Sequence, residues 1–427
     1  MALSPGASLV RLVHQVRAVA FGPATSYADG LLTVSAPEVE ALVRSKASPA
    51  VAAVRVSWVS PGEPARIVKV LDAVEPRTKG PGGGGIFPGF VGPAEPQATG
   101  RTHVLRGAAV VAAGYLPRAQ EAVVDMSGPA ASLSPLAGTH NLVVEFTPAD
   151  GAAWDEVEAG LRQGLLALAV HLADATLAAP PDAVEEVLPP LPDSADGLPA
   201  VGVITNLQTQ GAFKDVFVYG RSLAGGEPIL IGPGELDDGA VVSGQYGHPA
   251  LKNPTYVHQN HPVVAALAAR HGHDLRFAGI VLSPEPVDMA AKEAVSAQAA
   301  RLCQESGFQA VIVTKEGGGN ADADMALKMD ALEELGIPAV GLFGEMAGPD
   351  GTGPPIVVAP ERATAMVSTG NYDTRLVLPA VERSLGGDQL ALLGLPATSE
   401  LVLPAAVVYC ALSPLGWGRF TCAENVA

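Results

Sequence analysis

Between Ala200 and Glu345 the chain alternates short apolar strands with helical segments, and this pattern limits its fold more than any other feature. AVGVITN, FAGIVLSP, QAVIVTKEGG and IPAVGLFGE are compact and rich in β-branched residues. PVVAALAARHG, AAKEAVSAQAARLCQESG and DADMALKMDALEELG lie between them with helical spacing. Strand–helix–strand alternation implies a parallel sheet with crossover helices. Runs such as VIV and VGLF suit strands covered on both faces. The expected fold class is α/β. A β-rich N-terminal domain spans 1–135 and an α/β domain 136–245, with a Pro-rich acidic excursion or linker at 179–199. A second α/β domain, 246–427, ends in a β and loop tail. The α/β parts are expected to be Rossmann-like.

Upstream, LLTVSA, AAVRVSWVS, ARIVKVLDAV and THNLVVEFTP read as strands, and APEVEALVRS as a short helix. A long helix is expected from Ala152 to about Leu177, where Trp154, Val157, Leu161, Leu165, Leu168 and Leu172 keep helical spacing. The run KGPGGGGIFPGFVGP at 79–93 has no strand feeding it and no GK[ST] helix after it, so it reads as a surface or interface loop rather than a phosphate cradle. With a net charge of -18, the chain is a poor partner for nucleic acid and anionic membranes. Its 3 cysteines are widely spaced without CxxC, as in a reducing compartment. The N-terminus is broken by Arg11, His14 and Arg17, unlike a signal peptide, and no run is long enough to span a bilayer. The expected location is the cytoplasm.

Ligands of open parallel sheets bind at the carboxyl ends of the strands. Those ends carry Asn206, Gln208 and Gln210, then Lys315, Glu316, three glycines, Asn320 and Asp322, then Glu345, then Asn371. Each alone could be a helix cap or a turn residue; their convergence on one edge marks a candidate site. The window VSGQYGHPALKNPTYVHQNH, 242–261, adds three of the 9 histidines. His258 and His261, with His271 and His273 nearby, raise a metal reading completed by Glu316 and Glu345, but no HExxH or CxxC supports it. There is no GxSxG and no strand-fed GxGxxG, and Cys303 falls in the apolar phase of a helix.

Several unusual strings occur in a fixed order: GEPARI and VLDAVEPR within 62–77, GGGGIFPGFVG at 82–92, GRTHVLRGAAVV at 100–111, VDMSGP at 124–129, LQTQG at 207–211, DGAVVSG at 238–244, KNPTYVHQN at 252–260, EGGGNADAD at 316–324, GEMAG at 344–348, STGN at 368–371 and LGWGRFT at 415–421. On these the chain resembles, end to end, the α-subunit proproteins of component B of glycine, sarcosine and betaine reductase, and more distantly the D-proline reductase proprotein. The resemblance implies self-cleavage at an Asn-Cys bond, with the cysteine becoming a pyruvoyl group that takes the substrate amine as a Schiff base. A cysteine or selenocysteine on a second subunit then accepts the carbon fragment.

Here the scissile pair falls on Gln245-Tyr246. Self-processing needs a β-hydroxyl or β-thiol to attack the preceding carbonyl and then leave by β-elimination. Tyrosine carries its oxygen across a ring and has neither group. The chain is therefore expected to stay intact, with no pyruvoyl, no other cofactor and no metal. It would pair with a cysteine- or selenocysteine-bearing β-type subunit, in a heteromeric oligomer, for reductive C–X cleavage or C–S bond chemistry on a small, amine-bearing substrate. Tyr246, His248 and His258 are the candidate catalytic residues. Gln208, Gln245, Asn253, Asn260, Glu316, Asn320, Asp322, Glu345 and Asn371 are the candidate binding residues, with Glu316 and Glu345 suited to a cationic amine. The alternatives are a non-catalytic scaffold subunit and an independent metal-dependent hydrolase using His258 and His261.

Overall fold

The computed structural model describes residues 9–80, 85–95, 98–117, 119, 121–191, 197–209, 216–244, 252–363, 365–390, 393–412 and 415. In the N-terminal part, Val51–Val59 pairs antiparallel with His140–Pro148, which runs parallel to Ala108–Ala113, itself antiparallel to Val70–Val74. Helices α1 (Ala36–Ala47) and α2 (Trp154–Asp174) pack on this sheet through Val39, Val43, Val157, Leu161, Leu165 and Leu168, all buried. They also pack on each other: a side chain at Gly164 would place its Cβ 2.9 Å from Val43 Cγ1. A second sheet is built on Leu9–Gln15, which runs parallel to Gly100–Arg106 and antiparallel to Ala183–Glu186. The acidic segment at 179–199 is therefore not only a linker: it supplies an edge strand, anchored by Arg106 on Glu185. The glycine-rich run is also entered from a strand, Arg77–Lys79, contrary to expectation, although no helix follows it directly.

The alternating segments fold into a six-stranded sheet. Its strands are β1 (Ala200–Leu207), β2 (Ile229–Ile231), β3 (Arg276–Pro284), β4 (Ala310–Thr314), β5 (Ala339–Glu345) and β6 (Ala365–Asn371), in the spatial order β2-β3-β1-β4-β5-β6. All neighbours are parallel except β2, which lies antiparallel on β3. Helices α6 (Met289–Glu305) and α7 (Asn320–Glu334) cover one face and α5 (Pro262–Arg270) the other. Side chains alternate accordingly along β1: Ile204 packs with the α6 and α7 residues, and Val203 and Leu207 with those of α5. Helix α6 starts where Asp288 accepts from Ala291 N at 3.0 Å, an N-cap bond. Two short helices, α3 (Pro233–Asp237) and α4 (Thr255–Gln259), fill the long connection between β1 and β3.

The strand pairing crosses the expected divisions at 135 and 245. His140–Pro148 belongs to the N-terminal sheets, and β1 sits at the centre of the parallel one. The tail folds back as well: Arg383–Leu385 runs parallel to Ala65–Val68, and the buried Arg66 donates to Asp125 and to the carbonyls of Pro379, Ala397 and Ser399.

Candidate active site at the carboxyl edge of the parallel sheet

Strand order reverses between β1 and β4: the chain passes from β1 to β3 on one side, then crosses to β4, β5 and β6 on the other. Loops leaving β1 and β4 therefore diverge, which opens a crevice at their carboxyl ends. Glu316 lies there, fully buried. Its Oε2 accepts from Gln208 N at 2.9 Å, from the loop after β1. Its Oε1 accepts from Asn253 N at 2.8 Å and Asn253 Nδ2 at 3.2 Å. His258 Nε2 stands 3.4 Å from the same oxygen, outside hydrogen-bond geometry. Burial works against ionisation of Glu316, but His258, Lys252 and the Gln208 amide outweigh it and hold the carboxyl below its usual range. Lys252 also donates to Gln208 O at 3.1 Å. Two strings far apart in sequence, KNPTYVHQN and EGGGNADAD, thus meet on one carboxylate.

Helix α4 owes its position to the N-terminal part. Asp72, buried in the strand Val70–Val74, accepts from Thr255 N at 2.9 Å and Thr255 Oγ1 at 2.8 Å. Thr255 Oγ1 in turn accepts from Ser243 N at 3.0 Å. Burial pushes the Asp72 carboxyl up to about 6 despite these bonds. Arg162 of α2 lies over the Phe217 ring and donates to the carbonyls of Ser243 and Gly244. Both approaches to the 245–251 segment are thereby fixed. Gln245, Tyr246 and His248 themselves lie outside the described residues, as does Gln210.

The remaining expected residues divide. Gln208 borders the crevice, and its Oε1 is buried without a partner among the described residues. Asp322 faces inward, paired with Lys315 and accepting from Val357 N at 2.9 Å. Asn320 opens α7 and is exposed. Glu345 accepts from Ser368 Oγ, while Asn371 ties the next loop through Ala347 N and Gly348 O. Neither contacts Glu316. Asn260 lies on the far side of α4, where its Oδ1 accepts from Arg77 Nη2 at 3.0 Å. It borders a separate cavity of about 530 Å³ with Arg11, Glu185 and Asp237.

The described histidines do not gather into a metal site. His261 is anchored by Val264 N on Nδ1 and Thr205 Oγ1 on Nε2. Burial, together with His258, lowers it to about 3, so it stays neutral. His271 Nδ1 accepts from Phe277 N at 2.9 Å. Among the described residues no group of three His, Cys, Asp or Glu side chains is disposed to hold a metal ion.

Sequence reasoning missed Glu285, which follows β3. Its backbone is tied to the end of β1 by a bond from its N to Leu207 O. Both carboxyl oxygens are buried without partners among the described residues, and burial with Asp324 and Glu316 pushes it well above the carboxylate range. Below it, Asp324 pairs with Lys292 and Lys328, fully buried under α6 and α7. Asn206 and Thr314, on the same strand ends, also keep buried atoms without hydrogen bonds among the described residues. Such atoms are rare in folded proteins and mark polar space built for water or a ligand.

The family model of the glycine/sarcosine/betaine reductase component B subunits matches residues 9–395. The chain is 37% identical over 375 residues to the glycine reductase complex component B subunits alpha and beta of Peptoclostridium acidaminophilum, covering 87% of each. It is 33% identical over 376 residues to the sarcosine reductase complex component B subunit alpha of that organism, again covering 87% of each. It is 29% identical over 438 residues to the betaine reductase complex component B subunit alpha, covering 96% of this chain and 98% of that one. No solved structure matches. The chain belongs to the family of glycine/sarcosine/betaine reductase component B subunits.

Proposed function

We propose that this chain is an unprocessed, α-subunit-like component of a reductase complex. It binds a small, amine-bearing substrate in the crevice at Glu316 and works with a cysteine- or selenocysteine-bearing partner subunit in reductive C–X cleavage or C–S bond chemistry. The observation that supports it best is the ionised Glu316, buried where the strand order reverses and faced by His258. A fixed negative charge there favours a cationic nitrogen, and the neighbouring imidazole is a group able to move a proton. The parallel sheet is read as Rossmann-like on its strand order, and the location as cytoplasmic. No helix among the described residues is long and apolar enough to cross a membrane.

The pyruvoyl group of the family does not fit these residues. Gln245-Tyr246 offers no β-heteroatom. The nearest described side-chain alcohol after the gap, Thr255 Oγ1, is committed to Asp72 and Ser243 N. Cys303 and Cys410 lie in apolar cores, where burial pushes both thiols up, away from the reactive thiolate form. No step is routed through a pyruvoyl carbonyl. Tyr246 and His248 are proposed as proton-moving groups beside His258.

One observation favours the scaffold reading: both Glu316 oxygens already accept protein hydrogen bonds. The deciding experiment reconstitutes the complex with the co-purifying thiol-bearing subunit. Intact mass should give one chain of about 43.3 kDa. His258→Ala and Tyr246→Phe should each lower turnover at least tenfold with subunit binding preserved. Turnover near wild type in both would establish the scaffold, and two fragments with a blocked N-terminus would sink the unprocessed chain.

A further inference from the structure

We infer that the cavity between α5 and the edge strand Ala183–Glu186 binds a small organic ammonium ion with a short apolar body. The cavity has a volume of about 530 Å³, within the range of small-molecule sites. It lies where the sheet built on Leu9–Gln15 meets the helix layer of the parallel sheet. Neither Glu316 nor His258 lines it, so it is distinct from the crevice and independent of what the crevice binds.

One wall belongs to α5. Val263 and Leu267 are buried against the parallel sheet, which leaves Ala265, Ala268 and Ala269 to the cavity. Positions three and four apart share a helix face, so these methyl groups form one apolar surface. Alanine there leaves open the space that a longer side chain would fill. The polar wall is Asp237, the last residue of α3 and only 4% exposed. Its Oδ1 takes both Arg11 Nη1 at 3.1 Å and Arg77 Nη1 at 3.0 Å. Its Oδ2 is buried and accepts no hydrogen bond among the described residues. A buried carboxylate oxygen without a donor is costly, and what it lacks is an N–H or O–H.

Charge selects a cation. Arg106 pairs with Glu185, Arg11 with Glu185 and Asp237, and Arg77, behind Asp237, with Asp237 and Glu75. Glu186, exposed on the rim, has no ion pair among the described residues. Three guanidinium groups thus face four carboxylates, and one negative charge is unmatched. His261, also in the lining, stays neutral. An ammonium ion supplies both the charge and the donor that Asp237 Oδ2 lacks. No guanidinium is left over for a ligand carboxylate, so the site disfavours amino acids. A neutral alcohol can donate but leaves the charge unmatched.

The test is calorimetric titration of the purified full-length chain with n-butylamine hydrochloride, n-butanol and glycine at pH 7. Butylammonium should bind at one site. Butanol and glycine should bind about tenfold more weakly or less, the scale of one hydrogen bond between charged groups. Ala268→Leu fills the cavity and should weaken butylammonium about tenfold, with the melting temperature equal or higher, since leucine suits a helix. Should that variant fail to fold, Ala265→Leu tests the same wall from its exposed end. Glu186→Lys should weaken binding about fivefold, the scale of losing an exposed attraction and gaining a repulsion. Absence of butylammonium binding, butanol or glycine binding as tightly, or unchanged affinity in the folded leucine variant or in Glu186→Lys would overturn the site. Unchanged affinity in the leucine variant would place the amine elsewhere, as at Glu316.

Discussion

Asp72→Asn should turn a pH-dependent liability into a flat response. Asp72 is buried in an apolar strand, and its Oδ1 accepts from Ala73 N and Thr255 N, both at 2.9 Å. Burial dominates and raises its pKa to about 6, against about 3.9 for a free aspartate. Between those values the native chain holds a proton that the unfolded chain has released. Stability therefore falls as pH rises from about 4 to about 6, by about 3 kcal/mol at about 1.4 kcal/mol per unit. Asparagine does not titrate. Its Oδ1 keeps both amide bonds, but its Nδ2 faces Thr255 Oγ1, whose own proton then loses its acceptor, costing about 1 kcal/mol. The variant should be about 1 kcal/mol less stable than wild type at pH 4 and about 2 kcal/mol more stable at pH 7. Urea-unfolding midpoints of both proteins at pH 4, 5, 6 and 7 give the difference directly. In that difference Asp238, also raised to about 6, and His14, lowered to about 4, cancel. A difference that stays constant or shrinks with pH would refute burial as the dominant influence on Asp72.

Glu316→Gln should cost about 3–5 kcal/mol of stability, because its NH2 meets the amide of Gln208 or Asn253 head on and His258 loses its partner; a loss under about 1 kcal/mol by urea unfolding would contradict the geometry. Gly317→Ala should lower thermal stability, since φ is +73° and Gln208 occupies the space; an unchanged melting temperature by scanning calorimetry would count against that contact. Elemental analysis of the purified chain should give less than about 0.1 equivalent of zinc or iron, because His258 and His261 are engaged separately. Stoichiometric metal would revive the hydrolase reading.

The parallel sheet was legible because its strands are covered on both faces, so QAVIVT and AVGLF had to be continuous apolar runs. The family was legible too, in strings such as KNPTYVHQN. The role of Glu316 was legible only as a position at a strand end; nothing local announced that Asn253 and His258, about sixty residues earlier, would close on it. Glu345 and Asn371 shared the same signal yet organise their own loops, because β5 and β6 lie beyond the reversal point. Asp72 gave one faint signal, a charge inside VLDAV.

The sequence by itself determined the periodicities, hence the strands, the helices and the buried faces, and it determined that Gln245-Tyr246 has no β-heteroatom to cleave with. Those are properties of residues taken one or a few at a time. Only the tertiary structure decided which strand ends are neighbours. That choice rests on sheet order and on long-range anchors such as Asp72 on Thr255 and Arg162 on Gly244, which join segments more than 80 residues apart. It left Glu316 ionised and Glu285 without a side-chain hydrogen bond among the described residues, because burial and pairing depend on what the rest of the chain brings alongside.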